Sequence, residues 1–238
     1  MAVLLFVLAA MATLLLVVWQ ALRRARRADF IRSFTLPRGL FEKLRAKHPQ
    51  LSLKDCQLVA QALRQFFLAY LSAERQHVSM PSQVADDLWH EFILYTRNYE
   101  VFCRQAFGRF MHHTPAAALG SEQRSNAGLR RCWWHCCRAE NINPRKATRL
   151  PLLFAIDAKL AIAGGFVYAL DCVAKKAALG ADAAVIYCGG DFASTQRDGS
   201  EGSGGNGGDS SVDFGGGGGD GGSDGGSDGG GCGGGCGS

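Results

Sequence analysis

The first 27 residues constrain this chain more than any other part of it. Residues 2–19 are apolar except for Thr13, and arginines follow at positions 23, 24, 26 and 27. A helix rises about 1.5 Å per residue, so about 20 residues cross the roughly 30 Å hydrocarbon core of a bilayer. Residues 2–22 therefore predict one membrane-spanning helix, which makes the lipid bilayer the first expected partner.

A cleavable signal peptide is the competing interpretation of this segment. Signal peptides carry basic residues before a shorter apolar run and a small-residue cleavage site after it. Here no Lys or Arg precedes the run, and the four arginines stand where the cleavage site should lie. We therefore expect an uncleaved anchor in the cell membrane, which is the inner membrane in a two-membrane bacterium. Because positive flanks stay in the cytoplasm, the N-terminus should lie outside and the rest of the chain inside.

A second span is not expected. Residues 151–170 are apolar in places, but Asp157 and Lys159 lie near their middle. Each such charge costs about 2.5–3.5 kcal/mol at the centre of a membrane helix, and the few leucines and isoleucines present do not offset this cost. The sequence thus predicts a single-pass protein.

Apolar periodicity predicts a small, mainly helical domain after the anchor. Helical spacing with capping and breaking residues at the ends indicates helices at residues 37–48, 52–74, 82–107 and 122–140. Two short apolar segments, 160–163 and 166–170, flank Gly164 and Gly165 and predict a β-hairpin. The predicted organisation is an anchor with its basic flank at 1–27, a mainly helical domain at 28–188 and a tail at 189–238.

Glycine, serine and aspartate dominate the tail. This composition cannot bury enough apolar surface to offset the entropy of ordering, so the tail is predicted to be disordered. From Asp198 onward it carries acidic residues and no Lys or Arg, although the whole chain has a formal net charge of +5. The tail is therefore the segment from which we expect contact with a protein partner. Nucleic acid is not an expected partner, because no basic stripe alternates with stacking aromatic residues.

One block of residues resembles a known family. It begins with the pattern Asp-x-x-Trp-His at residues 86–90, continues with Tyr99 and Cys103, and ends with His112 and His113. This block, with the glycine-rich C-terminus, resembles the glycine-rich-domain-containing-protein-like family in a membrane-anchored form. The resemblance covers roughly residues 35–172 and implies a helical fold and a chain layout. It implies no reaction.

The histidines of this block are candidate metal ligands. The zinc-protease pattern His-Glu-x-x-His fails, because position 94 is Leu. His90 could meet His112 or His113 if the chain reverses after Gly108, and two or three imidazoles would form an open zinc site. The alternative is that these histidines only hydrogen-bond neighbouring loops. On one continuous helix Cys103 would point about 220° away from His90, so Cys103 is predicted to be a core residue with Trp89, Tyr99 and Phe107.

Cys132 and Cys136 form the second candidate site. The chain has nine cysteines at irregular spacing, which favours free thiols over a disulfide framework. Cys132 and Cys136 are one helical turn apart, with His135 between them, so both sulfurs could meet one metal ion. Structural zinc sites usually add a second pair, which here only Cys232 and Cys236 of the tail could supply. Core packing is the alternative for this cluster.

No complete catalytic set follows from these residues. The sequence has no serine nucleophile elbow, P-loop or dinucleotide-binding fingerprint, so it leaves open whether the chain is an enzyme. We expect a membrane-anchored interaction or scaffold module at the cytoplasmic face. The alternative is a metal-binding protein or metal-dependent enzyme, with zinc as the candidate ion and His90, His112, His113, Cys132 and Cys136 as candidate ligands.

Overall fold

The computed structural model describes residues 1–74, 76–113, 127–170 and 186–188. Within these ranges the chain forms α1 (Ala2–Ser33), α2 (Leu40–Lys47), α3 (Leu53–Ser72), α4 (Gln83–Leu94), α5 (Thr96–Phe107), α6 (Ala127–Ala139), α7 (Leu152–Lys159), β1 (Val167–Ala169) and β2 (Ile186–Cys188). The mainly helical fold with one apolar N-terminal helix is confirmed. The tail at 189–238 and the start of the predicted fourth helix lie outside the described residues.

Helix α1 is the one helix of the described ranges that is long and apolar enough to cross a membrane. No part of its most apolar stretch is buried, so this stretch does not pack into the domain as the core helix of a soluble protein would. A signal sequence would also be long and apolar enough to cross a membrane. Its last turns behave differently, because Ile31 is fully buried and the rings of Phe30 and Phe102 pack 5.9 Å apart. The helix therefore crosses the boundary predicted at residue 27 without a break and enters the core.

Helix α3 lies at the centre of the domain and packs against α1, α2, α4, α6 and α7. It begins at a capping box, in which the Asp55 backbone N–H donates to Ser52 Oγ (3.2 Å) and the Ser52 N–H donates to Asp55 Oδ2 (2.9 Å). Its rings Phe66 and Phe67 pack on Trp89, with centroids 5.0 and 6.0 Å apart. The predicted core residues are confirmed as buried: Trp89, Tyr99, Cys103 and Phe107.

The single helix predicted at 82–107 is wrong, because the chain breaks it at Tyr95 into α4 and α5. Tyr95 adopts φ −81° and ψ 59°, and its hydroxyl donates to the carbonyl oxygen of Arg38 at 3.2 Å. No glycine or proline marks this position in the sequence. The partner of Tyr95 lies 57 residues away in the chain, so a local pattern could not reveal the break.

The predicted β-hairpin is also wrong. Strand β1 pairs with β2 in parallel, with Val167 opposite Ile186, so β1 has no partner among residues 160–163. Those residues instead close helix α7, since the Ile162 N–H donates to the Asp157 carbonyl oxygen (2.9 Å) around Ala161, which has φ 50°. This is a left-handed helix C-terminus, which the apolar composition of the segment concealed.

The side chain of Asp157 ties α7 to the start of α4. It is 2% exposed, and its carboxylate accepts hydrogen bonds from Ser82 Oγ (2.6 Å) and from the backbone N–H groups of Gln83 (2.6 Å), Val84 (3.2 Å) and Phe166 (2.9 Å). A negative charge at a helix N-terminus also interacts favourably with the helix dipole. The residue that argued against a second membrane span therefore fixes the first turn of α4.

We expect Asp157→Ala to destabilise the domain by about 3 kcal/mol, because the loss of one acceptor leaves several buried donors without a partner. Asp157→Asn should cost less, since it keeps one oxygen. The measurement is urea unfolding of the detergent-solubilised chain, followed by circular dichroism. Asp29→Ala is the control: the exposed Asp29 side chain pairs with Arg32 on the surface (2.9 Å), so its loss should cost under about 0.5 kcal/mol. Equal effects of the two alanine variants would contradict the role of Asp157.

Candidate metal centre

Helix α4 presents Asp86 and His90 one turn apart. The Asp157 carboxylate and Ser82, whose Oγ accepts from the Ala85 N–H at 3.1 Å, fix the first turn of the helix. Residues four apart on a helix lie on the same face, so the two side chains are neighbours. His90 Nδ1 lies 3.4 Å from Asp86 Oδ2 and 2.9 Å from the Asp86 carbonyl oxygen.

His113 reaches this pair from a different part of the chain. Helix α5 ends at Gly108, which has φ 75°, and the following residues turn back over α4. A buried hydrogen-bond chain holds this return: Trp89 Nε1 donates to the Tyr99 hydroxyl (3.2 Å), which donates to the Met111 carbonyl oxygen (2.6 Å). Burial raises the pKa of Tyr99, so its hydroxyl keeps the proton that it donates. The segment is thereby held against the core two residues before His113.

Asp86, His90 and His113 form a compact cluster. His113 Nε2 lies 3.0 Å from Asp86 Oδ1, and the two imidazole rings stand 4.2 Å apart between centroids. The ring of His113 also packs against Trp89 at 4.5 Å. One potential ligand atom from each of the three residues lies within 4.8 Å of the others. Asp86 and His113 are half-buried and His90 is exposed, so the cluster opens to solvent on one side.

This spacing fits a metal ion with little rearrangement. Ligand atoms at about 2.0–2.1 Å from a tetrahedral zinc ion stand about 3.3 Å apart. Asp86 Oδ1 and His113 Nε2 lie 3.0 Å apart, close to this separation, and His90 offers a third ligand atom within 4.8 Å of the other two residues' ligand atoms. In the tautomer in which Nδ1 of His90 donates to the Asp86 carbonyl, Nε2 carries the lone pair. A backbone carbonyl on the second nitrogen is a common way to orient a metal-bound histidine.

The other acidic residues of α4 have different partners. Asp87 Oδ2 lies 2.9 Å from His48 Nε2, and Glu91 pairs with Lys47 (2.9 Å) and Lys43 (3.8 Å) of α2. Among these carboxylates, Asp86 is the one placed against His90 and His113. Sequence reasoning missed Asp86 as a candidate ligand, although its spacing of four residues from His90 could have indicated it.

The remaining predicted ligands are not part of this cluster. His112 is exposed and packs on the ring of Phe110, with centroids 4.9 Å apart. Cys132 and Cys136 are buried in α6, where their sulfur atoms approach each other to 3.9 Å. The structure thus joins two of the five predicted ligands, His90 and His113, and leaves the two sulfurs as a separate pair.

Three thiols of α5 and α6, those of Cys103, Cys136 and Cys137, are in surroundings that favour the protonated form. The hydrogen bond to Cys132, together with burial, raises the pKa of Cys136, and burial alone raises that of Cys103. Burial and the neighbouring Cys136 raise the pKa of Cys137 to about 12. Zinc binds the thiolate, so a metal ion at Cys136 would have to displace a firmly held proton.

One family model matches the chain. It is the model of the UCP032817-like family, and it covers residues 26–192, more than two thirds of the chain. The resemblance to the glycine-rich-domain-containing-protein-like family is therefore wrong, since no model of that family matches. The glycine-rich tail that contributed to the resemblance lies almost wholly outside the matched residues. No curated protein and no solved structure gives a significant match.

We expect Cys103, Cys136 and Cys137 to resist alkylation in the folded chain. At pH 8 a thiol with a pKa of about 12, as at Cys137, is ionised to about 10⁻⁴, against about a quarter for an ordinary thiol. Iodoacetamide should therefore modify Cys137 about three orders of magnitude more slowly before unfolding than after it. Peptide mass mapping of the same sample with and without denaturant measures this. Rapid modification of Cys136 or Cys137 in the folded chain would contradict the assignment.

Proposed function

The chain belongs to the UCP032817-like family, and for it we propose a single-pass membrane protein that holds its helical domain at the cytoplasmic face and binds one divalent transition metal ion there. The cluster of Asp86, His90 and His113 carries the metal-binding part of this proposal. Two imidazoles and a carboxylate suit zinc and other late first-row ions, and zinc is the first candidate.

The open side of the cluster leaves room for a further ligand on a bound metal ion. Three protein ligands leave a fourth position of a tetrahedral ion to water or to a substrate, as in catalytic zinc sites. His90 provides this access, because its side chain is 46% exposed. A metal-dependent reaction is therefore compatible with the cluster.

The proposed membrane orientation is supported by α1. The helix continues from its apolar part into the core at Ile31, which suits a permanent anchor better than a segment that is removed. Its arginines at 23, 24, 26 and 27 follow the span, and such flanks remain cytoplasmic. The interaction or scaffold role stays a prediction, because the tail expected to contact the partner lies outside the described residues.

We expect the full chain to bind about one zinc ion, and His90→Ala and His113→Ala to weaken binding by roughly 100-fold or more. Loss of a direct ligand should exceed the roughly 10–100-fold loss typical of an outer-shell partner. The measurement is zinc titration by calorimetry in detergent, with elemental analysis, in a Cys232→Ser, Cys236→Ser background that removes the tail thiols.

Two controls make this test specific. His112→Ala removes the neighbouring imidazole, which packs on Phe110, and should leave zinc binding unchanged. Cys136→Ser should also leave it unchanged. Equal zinc binding by His113→Ala and the parent chain, with unfolding curves showing both folded, would refute the cluster. A loss of zinc binding in Cys136→Ser would instead assign the zinc site to Cys132 and Cys136.

We expect a reporter fused to the C-terminus to be cytoplasmic and the mature chain to retain its first residues. A C-terminal fluorescent protein should fold and fluoresce, whereas alkaline phosphatase at the same position should be inactive. Replacing the four arginines by glutamine should lower the fluorescence of the first fusion and raise the phosphatase activity of the second, because these charges set the orientation. A purified chain shortened before residue 28, seen by intact mass, would show cleavage and refute the anchor.

A further inference from the structure

Helix α5 runs back alongside the end of α1. Phe34 packs against Phe92 and Phe102, with centroids 5.8 and 4.8 Å apart, and Phe30, one turn earlier on α1, also reaches Phe102. Earlier still, the guanidinium of Arg27 fills the space beside Gly108, where a Cβ atom would overlap it. The C-terminal end of α5 therefore lies closer to the apolar part of α1 than the N-terminal end of α5 does.

The contact between Arg27 and Gly108 indicates how far this end of the domain lies from the hydrocarbon core that the proposed anchor crosses. Arg27 is five residues beyond Leu22, the last residue of the expected span, which is roughly 7 Å along a helix. The headgroup layer on each side of a bilayer is about 5–8 Å thick. A second contact agrees with this level, because Arg24 Nη2 pairs with Glu74 just past the end of α3 (2.9 Å). The ends of α3 and α5 thus lie at the depth of the lipid headgroups.

The surface at this depth is basic and partly aromatic. An open groove of about 620 Å³ follows α5, and its lining includes Arg104, Gly108, Arg109 and Phe110. The Arg104 side chain is 71% exposed and pairs with Glu100 (2.6 Å), while Arg109 Nη2 donates to the Tyr70 hydroxyl (2.9 Å). Phe110 is 44% exposed, although it is a large apolar residue.

These features suit an anionic phospholipid. Guanidinium groups match the phosphate geometry with paired hydrogen bonds, and aromatic rings favour the membrane interface. The anionic cytoplasmic leaflet attracts basic residues that lie next to a membrane helix. We infer that the groove end formed by Arg104, Arg109 and Phe110 binds the headgroup of an anionic phospholipid in the membrane that α1 crosses. This inference rests on the proposed anchor but not on the metal site.

The test is photo-crosslinking of the full chain in lipid nanodiscs. A benzophenone amino acid replaces Phe110, and the discs contain phosphatidylcholine alone or mixed with phosphatidylglycerol. We expect a lipid adduct at position 110 by mass spectrometry, several-fold more abundant with phosphatidylglycerol. The matched control is the same amino acid at Leu94, which is 67% exposed and lies before α5, away from Arg27; it should give little adduct in either disc.

Arginine variants test the chemistry of the contact. Arg104→Gln, alone and with Arg109→Gln, should lower the adduct at 110 several-fold. Arg97→Gln, which changes the opposite end of the same groove, should not. The single Arg104 variant keeps the Tyr70 hydrogen bond of Arg109, so a loss of adduct there is not a loss of packing.

The remaining outcomes separate the inference from the proposals on which it depends. A chain that enters discs but gives equal adducts at 94 and 110, or adducts insensitive to lipid charge, would overturn headgroup binding and leave the anchor intact. Loss of the adduct in inorganic phosphate, but not in sodium chloride of equal ionic strength, would assign the groove to free phosphate and overturn the inference. A chain that does not enter discs would refute the anchor and the headgroup contact together.

Discussion

Helix α1 occupies two environments with one continuous backbone, and the placement of the whole domain depends on this continuity. Its apolar part exposes side chains that water does not accommodate over such an area, while near its end Ile31 is buried and Phe30 packs on Phe102 of α5. A flexible linker between these parts would let the domain move freely relative to the apolar helix. Because a helix is stiff over a few turns, the packing of Phe30 and Ile31 would fix which face of the domain lies near the lipid in the proposed anchored protein.

The sequence predicted those features that depend on local periodicity. Helices α2 and α3, the capping Ser52, and the buried face with Trp89 and Tyr99 follow from apolar spacing and from residue types that favour helix ends. It missed the break at Tyr95 and the conversion of residues 160–162 into a helix terminus. The break at Tyr95 depends on the Arg38 carbonyl oxygen, which lies 57 residues away and outside any window of neighbouring residues. The helix terminus is local, since the Ile162 N–H donates to the Asp157 carbonyl oxygen, but the apolar composition of the segment concealed it.

The candidate metal site was likewise predicted only in part from the sequence. Its two histidines were candidates because of their chemistry, but sequence could not choose between His112 and His113. The choice is made by the hydrogen bond from Tyr99 to the Met111 carbonyl oxygen, which holds the return over α4, where the ring of His113 reaches Asp86 and that of His112 packs on Phe110. Asp86 escaped notice because two adjacent aspartates precede the Trp-His pair, and only the fold shows that Asp87 belongs to His48.

One short segment connects the candidate metal cluster with the groove end that we infer binds a lipid headgroup. Residues 108–113 begin beside Arg27, include Phe110 of the proposed headgroup contact and end at His113. Tyr99 supports both halves, because its ring packs on Phe110 at 5.3 Å and its hydroxyl donates to the Met111 carbonyl oxygen. Because the Tyr99 hydroxyl already holds this segment against the core, both proposed ligands would meet a backbone that is ordered before they bind.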